Sequence, residues 1–133
     1  MVGCLTVAAG ILARSEGVSN GTGTDQRFVK NALKNAELPP GAYKYQSLAS
    51  GFMNRTADPF IVTVEPKGDD EPIHYNHHNG QEFNLVVEGR MLINIEGKEI
   101  ILNQGDSIYF NSKLPHGMKA LDGKTVRFLA VIM

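Results

Sequence analysis

The spacing of hydrophobic positions changes partway along the chain. Phe28, Ala32, Leu33 and Ala36 recur near the helical period, so the pattern predicts a short helix. Thr24 or Asp25 would cap it and Pro39-Pro40-Gly41 would stop it. So short a helix is marginal unless it packs on something. Tyr43, Tyr45 and Ser47 then alternate with Lys44 and Gln46, which predicts a leading strand. Residues 53–59 read as a loop. From Phe60 onward every element reads as strand. Phe60–Glu65 is rich in β-branched residues and ends at Pro66. Gly89, Gly97 and Gly105 recur every eight residues and enclose Met91–Ile95 and Glu99–Leu102. Ser107–Phe110 comes next, and Thr125–Met133 follows an Asp122-Gly123 turn. Short strands at this spacing, with no alternation of strand and helix, point to an antiparallel sandwich or barrel rather than a parallel sheet.

This pattern divides the chain into an N-terminal segment (1–23), a short helix with a leading strand (24–59) and a β unit (60–133). Residues 15–23 are rich in Gly, Ser, Asn and Thr, so the first segment is expected to be flexible. Between residues 82 and 87, Glu82, Asn84 and Val86 would share one face, and Phe83, Leu85 and Val87 the other. The second face is wholly apolar and needs covering, by a second sheet, by the N-terminal helix or by another subunit. A homodimer is therefore expected.

Composition narrows the picture. A hydrophobic share of 42% in 133 residues supports one packed domain and argues against disorder. With a net charge of −1 and no basic stripe, the chain carries no electrostatic footprint for nucleic acid. Cys4 is the only cysteine, so no internal disulfide can form. A reducing compartment, the cytoplasm, is the simpler expectation. The apolar run of residues 1–13 is too short to span a bilayer and lacks a positively charged start, so no membrane association is expected.

The candidate chemistry lies between Gly68 and Gly89. His74, His77 and His78 are crowded there with Glu82, while the fourth histidine, His116, stands far downstream beside Pro115. Imidazole nitrogens and a carboxylate oxygen suit a first-row divalent metal. Asn79-Gly80 is a two-residue hairpin signal. A turn there sets His77 opposite Glu82, on one face, with Cβ atoms about 5 Å apart. A one-residue bulge would bring His74 round to join them. The pairing favours His77, with His78 as the rival ligand. The bland alternative is a solvated, histidine-rich turn. Three histidines and a carboxylate bracketing one bend weigh against it.

These residues resemble the cupin family. Its first motif is Gly, five residues, His-x-His, three or four residues, Glu, six residues, Gly. Gly68, His74, Glu82 and Gly89 match it, while the second histidine position falls strictly on Asn76, with His77 one residue late. The second motif is Gly, five residues, Pro, one residue, Gly, two residues, His, three residues, Asn. Gly105 and His116 match it, and Asn111, Lys113 and Ala120 replace the other three. The resemblance covers residues 60–133. It implies an all-β fold, a jelly-roll antiparallel barrel, with a divalent metal (Zn, Fe, Mn or Ni) held by His74, His77, Glu82 and His116. The stretches Gly80–Asn84 and Pro115–Ala120 look like the sensor half of bacterial regulators that join a helix-turn-helix to a cupin, although no helix-turn-helix is evident. The implied function is a metal-binding module for a small polar molecule, the alternative being a dioxygenase- or isomerase-like metal enzyme acting on a small oxygenated substrate. Asn84, Tyr109 and Met118 are the expected ligand-binding residues.

Overall fold

A computed structural model describes residues 18–19, 27–33, 43–68 and 70–133. Its strands run in chain order as β1 (Val18–Ser19), β2 (Asn31–Ala32), β3 (Tyr43–Ser47), β4 (Asp58–Val64), β5 (Gln81–Glu88), β6 (Met91–Ile95), β7 (Lys98–Leu102), β8 (Ser107–Asn111), β9 (His116–Ala120) and β10 (Val126–Ile132). All paired strands are antiparallel. Five of them form one sheet in the order β3-β4-β10-β5-β8, and three form a second in the order β7-β6-β9. The two sheets share one core in the jelly-roll manner, but they do not close into a continuous barrel.

The alternation read from the sequence places the core. Phe60, Val62 and Val64 on β4 and Phe128, Ala130 and Ile132 on β10 point inward, and Met91, Ile93, Met118 and Ala120 meet them from the smaller sheet. Glu82, Asn84 and Val86 take the inward face of β5, while Phe83 and Leu85 are half-buried on the other face and Val87 is exposed. Tight turns do the rest. Glu96-Gly97 and Asp122-Gly123 both have positive φ at both central positions; the first closes the β6–β7 hairpin, as such a turn requires, and the second links β9 to β10 across the two sheets. Tyr43 ties the layers together, because its hydroxyl donates to the Met118 carbonyl at 2.5 Å across the core. Among the described residues no helix is long and apolar enough to cross a membrane.

The expected N-terminal helix is not present over residues 27–33, and the remainder of its span lies outside the described residues. In its place Asn31 and Ala32 pair with Ser19 and Val18. The Asn31 carboxamide donates to Leu48 at 3.2 Å, and Gln46 donates to the Ala32 carbonyl at 2.9 Å. Hydrogen bonds to the leading strand outweigh a helix that is marginal by itself. Most of the segment 1–23 likewise lies outside the described residues.

Two outcomes follow for stability. Phe128 is 1% exposed, and Phe128→Ala should cost about 3–5 kcal/mol in urea unfolding. The exposed Ile101 should tolerate Ala within about 0.5 kcal/mol. Burial pushes the Tyr43 phenol up from 10.0 to about 12. The unfolded chain ionises its tyrosines near pH 10 while folded Tyr43 keeps its proton, so the folded state binds more protons in that window. The contribution is complete below about pH 10 and is lost as pH rises towards 12. Thermal melts at stepped alkaline pH should show this loss, and Tyr43→Phe should remove part of it.

Candidate metal centre

The site is assembled by a contact between the run before β5 and the run that leads from β8 into the start of β9. The run before β5 passes antiparallel to the run entering β9. Asn76 and His116 exchange both backbone hydrogen bonds, at 2.8 and 2.9 Å, and the His78 amide donates to the Ser112 carbonyl at 2.9 Å. The hairpin expected at Asn79-Gly80 is therefore not formed, since Asn76 bridges to His116, the His78 amide bonds to Ser112, and β5 pairs with β8 and β10. A type I′ turn needs positive φ at both central residues, and here only Gly80 has it, at 97°. Gly80 is also forced by close approach. A Cβ there would lie 1.8 Å from the Met133 carbonyl oxygen.

This pairing decides which histidine faces inward. With Asn76 opposite His116, strand alternation turns His78 into the core and leaves His77 outside. His78, Glu82 and His116 are 4%, 3% and 3% exposed. His78 Nε2 lies 3.1 Å and His116 Nε2 3.8 Å from the same Glu82 oxygen, Oε1. The three ligand atoms all lie within 4.8 Å of one another. Two ligands each about 2.1 Å from one ion stand roughly 3 Å apart at right angles. The cluster thus needs only a small contraction to embrace a divalent cation.

The surroundings hold the rings in a ligating posture. His116 Nδ1 donates to the Leu114 carbonyl at 2.8 Å, which leaves the Nε2 lone pair for the cluster. The His116 ring packs edge-on against Phe110, centroids 4.9 Å apart, and against His78 at 5.2 Å. Burial holds the His116 imidazole below its ordinary pKa of 6.5, against the opposing pull of Glu82 and of the Leu114 carbonyl. Its neutral form, the one a metal needs, is therefore favoured. Glu82 also lies within electrostatic reach of Tyr45, whose phenol burial in the first place, with Glu82 and Tyr43, holds protonated.

Of the four expected ligands, the structure brings Glu82 and His116 together. His74 and His77 are exposed and stay outside the cluster, and His78 completes it. The His74 backbone runs against Gly117, where a Cβ would lie 2.5 Å from the His74 carbonyl oxygen. The spacing did contain the signal. Counting back from Glu82, three residues lead to His78 and one more to Asn76, so Asn76 stands where the motif's first histidine stands.

Of the expected ligand-binding residues, Asn84 and Met118 lie inside. Asn84 is one strand step inward from Glu82 on β5, and Met118 one step from His116 on β9. Tyr109 is 57% exposed on the opposite face of β8. There it lines an open groove of about 670 Å³ with Gln81 and Met133, and its hydroxyl bonds to Gln81. Both polar atoms of Asn84 and the Ser112 hydroxyl are buried with no hydrogen-bond partner. Leaving such a group unpaired costs about 1–3 kcal/mol. Asn84 and Ser112 are thus two neutral groups with unmet hydrogen-bonding capacity in the same interior as the His/Glu/His cluster.

Comparison with known proteins agrees with the fold. The family model described as the cupin domain matches residues 60–132. An uncharacterized protein of Methanocaldococcus jannaschii is 27% identical over 94 residues, which cover 69% of this chain and 65% of that one. Among solved structures, the hydroxypropylphosphonic acid epoxidase of S. wedmorenis is 28% identical with a TM-score of 0.61, over 68% of this chain and 50% of its own. Fe(II)-HppE with the alternative substrate (S)-1-HPP gives 26% identity and a TM-score of 0.62, over 76% and 54%. The chain therefore spans about half the length of the solved structures it resembles.

Metal titration of tag-free protein checks the assignment. His78→Ala, Glu82→Ala and His116→Ala should each weaken Co(II) binding by more than about 100-fold, beyond what loss of an outer partner causes. His74→Ala and His77→Ala should leave it unchanged.

Proposed function

The chain belongs to the cupin family, and from that premise we propose that it is a non-haem Fe(II) enzyme that oxidises a small oxygenated substrate with dioxygen. The observation that carries this reading is the set of two imidazoles and one carboxylate, all buried, with their ligand atoms within 4.8 Å of one another. That ligand set with open positions is the one used by non-haem Fe(II) oxygenases. Its support from outside is the likeness to an epoxidase solved with Fe(II). When bound, Fe(II) would supply the redox chemistry and the positions at which substrate and dioxygen meet.

The protein's own part is to hold and orient. His78 and His116 present Nε2, and the Leu114 carbonyl fixes the His116 tautomer. The closely packed Phe110 ring helps keep bulk water from the cluster. The neutral groups Asn84, Ser112 and Tyr45 offer hydrogen bonds on the surrounding wall without taking up a proton at neutral pH. That last observation also favours a second reading, binding of a small polar molecule without turnover. Groups of this kind recognise a ligand but do not act as a general base.

The test is oxygen uptake by tag-free protein reconstituted anaerobically with Fe(II), against a panel of small hydroxy acids and hydroxyphosphonates. Uptake should depend on both iron and an added substrate, and Glu82→Ala should abolish it. Iron-loaded protein that binds members of the panel yet consumes no oxygen would establish the second reading instead.

A further inference from the structure

Buried polar atoms without partners are few among the described residues, and two of the five belong to side chains that are satisfied through another atom. Asn31 leaves its oxygen free but donates twice through its nitrogen, and Asp58 leaves one oxygen free while the other pairs with Arg55. Asn94 is buried too, but its oxygen accepts from Gly97 at 2.9 Å and so shapes the β6–β7 turn. Ser112 is also fully buried with its single hydroxyl unpartnered, but Asn84 leaves a larger group, both an acceptor and a donor nitrogen, unmet. It is 0% exposed, and neither its oxygen nor its nitrogen has a partner.

Its place in the fold gives this a direction. Asn84 shares the inward face of β5 with Glu82, about 6.6 Å further along the strand. Its neighbours across the sheet are Ala130 and Ile108, neither of which can answer a carboxamide. Packing alone would be served as well by leucine, which has the same branched outline.

We propose that Asn84 is a ligand-recognition residue of the metal centre. It selects small hydroxy acids that chelate the ion through the α-hydroxyl and carboxylate and carry a further hydroxyl. The carboxamide offers one acceptor and two donors, so it can both give to and take from that hydroxyl. A methyl group in the same place would leave it unpaired. Sites built to bond a hydroxyl reject the analogue that lacks one far more strongly than apolar pockets reject a small change of size. This assignment rests on the metal reading above, and the experiment separates the two.

Tag-free protein is loaded with Co(II), whose visible absorption reports chelation, and titrated with L-glycerate and L-lactate, which differ only in the terminal hydroxyl. The wild-type protein should bind glycerate about tenfold tighter or more. Asn84→Leu and Asn84→Ala should bring the ratio close to one while leaving Co(II) affinity unchanged. Asn84→Leu without ligand should melt no lower than wild type, because an unpaired buried carboxamide has been replaced by an apolar group of like shape. Failure of the wild type to bind Co(II) overturns the metal reading, and the assignment falls with it. Co(II) binding without a preference for glycerate, or with a preference that survives both substitutions, overturns the assignment of Asn84 alone.

Discussion

The reciprocal pair of backbone hydrogen bonds between Asn76 and His116 holds the site together. It joins the run leading into the larger sheet to the first residue of the outermost strand of the smaller one. Without it, Glu82 and His116 would sit on two sheets with no enforced spacing. With it, alternation alone determines that His78 faces in, and the Ser112 carbonyl holds the His78 backbone at the next step. The donor set is thus a by-product of main-chain pairing. The side chains need only be the right ones at positions the backbone has already chosen.

Most of the scaffold was legible in the sequence because strands declare themselves locally. Alternation marked β3, β-branched residues marked β4, the Asp122-Gly123 turn marked the start of β10, and the regular glycines marked the turns around β6 and β7. Asp122-Gly123 behaved as its residue types require, with both residues at positive φ. Two features were not legible, for one reason. The helix near Phe28 and the hairpin at Asn79-Gly80 were inferred from neighbours in sequence, and both were displaced by partners far away. Residues 31–32 are held by β1 and by groups near β3, and residues 76–78 by residues 112–116. The parity of one strand then turned on this distant contact, and a shift of one residue exchanges inward and outward side chains. His77 and His78 are adjacent, so only the pairing could choose between them.

The cupin family sets a scaffold more than a chemistry, since one fold hosts many activities. The inner wall beside Glu82 carries polar groups of its own. An asparagine and a serine are buried there with unmet hydrogen-bonding capacity, alongside the His/Glu/His cluster. Such groups weaken a core, so their presence next to the cluster points to use rather than to architecture.

The separation of the ligands along the chain has a consequence for folding kinetics. His78 and Glu82 are close in sequence, but His116 arrives only when β9 has docked. A cation captured by all three therefore rewards the finished molecule and no earlier stage. Such a cation would act as a latch: it would slow the opening of the native state and leave the rate of reaching it nearly untouched.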